Sequence, residues 1–254
     1  MTPSSNSPIS PQPDTLPNSL EEAIAQAQVA TQAAIQAGYT RLSVELIFPE
    51  LKPLPIAKIF AAAFEEQYGA GIKLFFTDAG TAAWVQGNWG DVPYRFGSID
   101  VAGSRQTTTV EEQIAPDDTL YIFVAPTAVE IGPVEQICQA AGDRPVILFN
   151  PQLEDVAIVG IGYAARMLRD RFLKTIEPCY YLRSLDDTVA LTRFYPTPWQ
   201  IWLERSGNWQ VIAEEGEKPD SERIDGILAT VLGNKSTKTG WLTGLQQFLR
   251  ALSR

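Results

Sequence analysis

Residues 119–151 read TLYIFVAPTAVEIGPVEQICQAAGDRPVILFNP. The stretch opens on an apolar run, Leu120–Ala125, set between Asp117-Asp118 and Pro126. A helical pattern follows, placing Val129, Val134, Ile137 and Cys138 on one face until Gly142-Asp143 stops it. A second apolar run, Val146–Phe149, ends at Asn150-Pro151. Short apolar runs of this kind suit strands buried on both faces. A helix between two of them predicts a right-handed βαβ unit.

Working outward, 254 residues of which 45% are hydrophobic can bury one substantial core. The reading is an α/β domain over 20–213, preceded by a disordered segment 1–19 and followed by a linker and helical segment 214–254. Residues 1–19 are rich in Ser, Pro, Asn and Thr and contain neither Lys nor Arg, so they resemble neither a signal nor a transit peptide. Ser19 or Asn18 caps an alanine-rich helix that runs to Gly38, and Leu42–Phe48 alternates as a strand. Pro53 and Pro55 introduce a second helix, Ile72–Phe76 is a short strand, and Asp78 caps a helix carrying Trp84. Tyr94–Ile99 reads as a further strand before the central unit.

Beyond Pro151 the pattern changes. Thr188–Tyr195, Trp199–Arg205 and Asn208–Ala213 form a meander, the last two strands joined at Ser206-Gly207. The predicted fold class is α/β and three-layer. Its Rossmann-like sheet is mainly parallel (mixed), with an antiparallel C-terminal hairpin and a C-terminal amphipathic helix.

Charge and composition exclude several functions. Twenty basic residues stand against thirty acidic ones, a formal charge of −10, which argues against nucleic-acid binding. There is no histidine, so Ser-His-Asp and Cys-His machinery and histidine-bearing zinc sites are excluded. Cys138 and Cys179 are the only cysteines, and both fall at core positions, which favours two buried thiols over a disulfide. The sequence calls for no metal and no cofactor, and catalysis is not the expectation. No apolar stretch approaches the ~20 residues of a membrane span.

Four features carry candidate sites. Gly160-Ile161-Gly162-Tyr163-Ala164-Ala165 fits G-x-G-x-x-A, follows an apolar run and precedes a helix, with Asp186 about twenty residues beyond. Gly160, Gly162, Arg166 and Asp186 are therefore candidate anion- or nucleotide-binding residues, against the plainer reading of tight helix packing. The helix that follows carries Arg166, Arg169, Arg171 and Lys174 beside Met167, Leu168, Phe172 and Leu173. Its basic side is either solvated or a patch for an anionic partner. Trp199, Trp202 and Trp209 cluster on a hairpin, as sheet packing or as a binding face. Trp241, Leu242, Leu245, Phe248, Leu249 and Leu252 recur every three or four residues, as a helix packed on the domain or docked on a membrane or partner. Candidate partner-binding residues are thus Arg166, Arg169, Trp199, Trp202 and Trp241. Glu214–Arg223, charged and containing Pro219, reads as a mobile linker.

VAPTAVEIGPVEQI, RPVILFNPQL, ARMLRDRFL, YYL and RFYPTPWQIW, with the opening RLSVELIFPEL, together resemble one family over residues 20–213. It is a domain of unknown function of cyanobacteria and plastids whose plant members include the low-photosystem-II-accumulation protein three. A related domain is appended to a plastid adenylate kinase. The resemblance implies an auxiliary role in photosynthetic membrane biogenesis, with photosystem II subunits or assembly factors as partners. It implies action from the cytoplasmic or stromal side, peripherally on thylakoids, and it supplies no catalytic residues to carry over.

Overall fold

Ser19 stands in extended backbone and its side chain accepts from the Glu22 N–H, which starts helix α1 (Leu20–Gln36) with Glu21 and Glu22 in the favourable first turn. Ala23, Ile24, Ala27, Ala30 and Ala34 bury one face of it at helical spacing. The chain then enters strand β1 (Arg41–Ile47), followed by α2 (Pro53–Ala62), the single turn α3 (Glu65–Tyr68) and β2 (Ile72–Phe76). Gly71 precedes β2 because any Cβ there would run into Thr119 Oγ1, where Gly71 O accepts from Thr119 N at 2.8 Å. Helix α4 (Ala79–Asn88) is capped by Asp78, and β3 (Arg95–Ser98) follows. The computed structural model describes residues 15–99, 113–153 and 163–233.

The central unit is built as its pattern predicts. Strands β4 (Leu120–Val124) and β5 (Val146–Phe149) pair in parallel, and α5 (Ile131–Ala141) connects them with Val134, Ile137 and Cys138 buried. Val129 is the exception, at 59% exposed. Thr127 and Glu130 form a capping box around the turn Ala128–Glu130, so the helix proper begins two residues later and Val129 lies outside its apolar face.

The remaining elements are α6 (Tyr163–Arg171), β6 (Glu177–Ser184), β7 (Val189–Phe194), β8 (Trp199–Arg205), β9 (Asn208–Glu215) and α7 (Ser221–Leu232). One nine-stranded sheet runs in the order β3-β2-β4-β5-β1-β6-β7-β8-β9. Pairings from β3 to β6 are parallel and those from β6 to β9 antiparallel. The expected C-terminal hairpin is thus the end of a four-stranded meander. The linker reading of Glu214–Arg223 is corrected: Glu214 and Glu215 close β9, Asp220 caps α7 by accepting from Arg223 N at 2.8 Å, and only 216–219 lie between. The expected helix through Trp241–Leu252 lies outside the described residues.

Connections that run toward the β3 edge carry α2 and α4 on one face. Those that run toward β9 carry α5 and α6 on the other, as a single crossover hand requires. The first face is covered continuously: Leu42, Val44 and Leu46 of β1 meet α1, and Phe60 of α2 packs on Phe149 at 5.0 Å. The second face holds two separate cores. One joins Phe75, Tyr121, Phe123, Val146 and Leu148 to α5 and to Phe172, which follows α6. The other joins Tyr181, Val189, Leu191, Trp199, Ile201 and Leu203 to Ile224 and Ile227 of α7. Between them lies β1, which turns Ser43 and Glu45 outward on this side.

Candidate functional site

The gap between the two cores is a cleft of about 1120 Å³ lying over β1. Its floor is Ser43 and Glu45, flanked by Leu148 of β5 and by Glu177 and Pro178 of β6. Thr127 and Gln152, joined by a parallel bridge, close it near the carboxyl ends of β4 and β5. Leu173, Lys174 and Ile176 line the side leading from α6, and Trp199 with Gly216, Glu217 and Lys218 the side leading to α7.

Polar side chains in the cleft hold one another. Ser43 Oγ donates to Glu45 Oε1 at 3.4 Å, and Lys218 Nζ stands 3.9 Å from Glu45 Oε2. The Lys218 ammonium also lies 4.2 Å from the centre of the Tyr181 ring and 5.5 Å from that of Trp199. Arg193 Nη2 donates to Glu177 Oε1 at 2.8 Å, and Arg193 Nε is buried without a partner. Acceptors, cations and apolar wall are thus interleaved in one cleft, whose lining crosses β5, β1, β6, β7 and β8.

The backbone fixes this geometry. A β-bulge between Ser43 and Val44 lets Cys179 fall on the α1 side, where its Sγ donates to Ser43 O at 3.2 Å and sits 3.4 Å from Thr31 Oγ1. Asn150 adopts a left-handed conformation at φ 49°, donates its N–H to Val44 O at 2.7 Å and accepts at Oδ1 from Leu46 N at 2.6 Å. The end of β5 is thereby clamped to β1. Both cysteines are free and buried, and burial pushes each thiol up to about 12.

The candidates read from sequence fall in different places. Gly160 and Gly162 lie outside the described residues, as does Trp241. Arg166 and Arg169 are exposed on α6 and do not line the cleft. Asp186 closes the β6–β7 turn, its Oδ1 accepting from Thr188 N at 2.7 Å, Val189 N at 2.8 Å and Thr188 Oγ1 at 3.1 Å. Trp199 and Trp202 are core residues on opposite faces of β8, with Trp202 Nε1 donating to Thr192 Oγ1 at 2.9 Å. Of the tryptophans in the described residues, Trp84 on α4 is the one that stands out, at 55% exposed. Sequence reading missed Glu45, Glu177, Arg193 and Lys218. The one signal for Glu45 was an acid placed in the middle of LSVELIF, in the strand at the centre of the sheet.

A second charged cluster joins Arg95 to Asp117 at 2.9 Å and to the fully buried Asp118 at 2.5 Å, with Lys73 donating to Gln113 O. Burial pulls the Lys73 ammonium below its usual range, opposed by the nearby Asp118 charge. This cluster sits at the amino ends of β2, β3 and β4, away from the carboxyl ends where open α/β sheets take ligands, and it reads as structural. Among the described residues no group of three or more Cys, Asp or Glu side chains is placed to hold a metal ion, and no helix is long and apolar enough to cross a membrane.

No solved structure matches the chain. Residues 17–226, which contain the whole sheet and the first half of α7, match the family described as Domain of unknown function (DUF1995), and the chain belongs to that family.

Proposed function

We propose that this chain is a non-catalytic binding protein whose cleft over β1 takes an extended segment of a partner polypeptide, and that it serves as an auxiliary factor in photosynthetic membrane biogenesis. The cleft carries this reading. Small-molecule pockets occupy about 300–1,000 Å³, whereas this open groove exceeds them and interleaves charged groups with apolar wall. Such a surface matches a polypeptide of mixed side chains better than a compact ligand. Membership of the DUF1995 family, with the motifs that resemble the low-photosystem-II-accumulation protein three, supports photosystem II subunits or assembly factors as partners. In this reading it acts from the cytoplasmic side, peripherally on the thylakoid.

The test is affinity purification of the tagged full chain from its host, with mass spectrometry of eluted proteins and small molecules. Photosystem II subunits or assembly factors should co-elute and be lost in Lys218→Glu, which turns an attractive contact with Glu45 into repulsion. A bound nucleotide without protein partners would overturn the reading.

A second reading, a nucleotide- or phosphate-binding enzyme using Gly160–Ala165, is favoured by one observation. The carboxyl ends of β1 and β5 are adjacent, and their connections leave to opposite faces, the switch point at which doubly wound sheets bind ligands. The glycine motif lies in the connection leaving β5. Thermal stabilisation by a nucleotide, abolished in Gly162→Asp, would establish it; no stabilisation by nucleotides or inorganic phosphate would remove it.

A further inference from the structure

Tyr181 and Trp199 meet edge to face beside the floor of the cleft, their ring centres 5.1 Å apart. Glu45 stands directly across from Tyr181 in the β1–β6 ladder. Aromatic rings with a carboxylate beside them are the recognition chemistry of an alkylammonium ion. The structure already holds one there. Lys218 Nζ lies 4.2 Å from the centre of the Tyr181 ring, 5.5 Å from that of Trp199 and 3.9 Å from Glu45 Oε2.

That lysine is loosely held. Its side chain is about half exposed, and its separation from Glu45 is long for an ion pair. The turn that delivers it, 216–219, makes no hydrogen bond among the described residues. The ends of the turn are fixed instead: Arg223 binds Glu215 at 2.7 Å, and Asp220 caps α7. Lys218 can therefore leave the cleft without disturbing β9 or α7. Its departure leaves Glu45, Glu177 and Glu217 in the lining against Lys174 and Arg193. Those two cations already have carboxylates, Asp170 at 2.7 Å and Glu177 at 2.8 Å. The opened cleft thus attracts a cation, on a chain whose formal charge is −10.

We infer that Tyr181, Trp199 and Glu45 form a lysine-binding subsite, that Lys218 fills it as an internal stand-in, and that a lysine of the bound polypeptide takes its place. The inference rests on the reading of the cleft as a polypeptide site and adds the chemistry of the segment selected. The resident lysine also sets a threshold. A neutral or acidic segment that displaced it would leave the rings and Glu45 without a cation, so only a basic segment exchanges like for like.

The experiment is fluorescence anisotropy of the purified full chain with a labelled peptide of alternating lysine and serine, at physiological salt. The same peptide with norleucine or glutamate in place of lysine serves as comparison and should bind about tenfold more weakly. Lys218→Ala empties the subsite without the repulsion of Glu45 that Lys218→Glu introduces, so it should tighten the lysine peptide about two- to fivefold. Glu45→Gln should weaken it up to about fivefold. Neither variant should alter the affinity for the norleucine peptide. Lys52→Ala removes the same charge from an exposed position before α2, outside the cleft, and should have no effect. Equal tightening by Lys52→Ala would show attraction to overall charge alone and would overturn the inference. Weaker binding in Lys218→Ala, or preference for the glutamate peptide, would make Lys218 a contact of the occupant rather than its competitor, and would overturn it as well. Equal binding of the lysine and norleucine peptides would remove the subsite and leave the polypeptide cleft standing. So would no peptide binding while the affinity purification still recovers partners, whereas no peptide binding and no partners would remove both.

Discussion

Lys218 lies with its ammonium 4.2 Å from the centre of the Tyr181 ring, and Tyr181 stands directly across from Glu45 in the β1–β6 ladder. One lysine from the turn between β9 and α7 thus spans the wall of the cleft, touching an aromatic ring, a second ring at Trp199 and the only acid of the central strand. Lys218 is about half exposed, so its energetic weight is that of a surface cation–π contact. Lys218→Met should lower the unfolding free energy by only about 0.5–1 kcal/mol, measured by urea denaturation. A loss far above that range would mean the turn is a structural brace rather than a cleft wall.

Asn150 closes β5 in a conformation that few side chains tolerate, and its carboxamide receives the Leu46 N–H. Asn150→Ala keeps the unfavourable φ and leaves that buried N–H without its acceptor, a cost of about 1–3 kcal/mol. Asn150→Gly relieves the backbone yet still loses the bond, so it should fall between wild type and alanine. If Asn150→Gly matched wild type, the Leu46 contact would contribute nothing.

Much of this fold is readable from residues whose local and global demands agree. Leu120–Val124 and Val146–Phe149 are apolar because both faces of each strand are covered, and Gly142 and Asn150 mark their neighbouring turns by tolerating left-handed backbone. The cleft was not readable, because it is made by strand order. Ser43 and Glu45 acquire meaning only once β1 lies between β5 and β6, and no periodicity announces that two helical layers stop short of each other above it. Trp199 and Trp202 read in sequence as one cluster, for sheet packing or for binding, but they stand three residues apart and strand alternation sends them to opposite faces of β8. Lys218 was hidden by its neighbours: charge and a proline look alike in a linker and in a tight turn that delivers one side chain.

Asp186 offers a direct separation of two roles. Its Oδ1 accepts from two backbone N–H groups and the Thr188 hydroxyl inside the β6–β7 turn. Asp186→Ala should therefore destabilise the fold by about 1–2 kcal/mol, and Asp186→Asn, which retains an acceptor oxygen, should recover most of that. A ribose-binding role predicts the other pattern: unchanged stability without ligand and loss of nucleotide-induced stabilisation in both variants.

The buried thiols make the alkaline limb of stability informative. Burial raises Cys138 and Cys179 from an ordinary value of 9.0 to about 12. A raised pKa means the native state holds its proton over a range in which the unfolded chain has released it. The stabilisation is complete below pH 9, declines as pH rises above it, and is gone once pH passes the folded value near 12. Melting temperature should therefore fall steadily above about pH 9, and Cys138→Val, which removes one of the two groups, should make that fall shallower. Both thiols should resist alkylation in the folded protein at neutral pH and react in denaturant, since the thiolate is the nucleophile and neither sulfur is accessible. Rapid alkylation of the native protein at neutral pH would show that the α5 or α1 layer opens far more often than its packing implies.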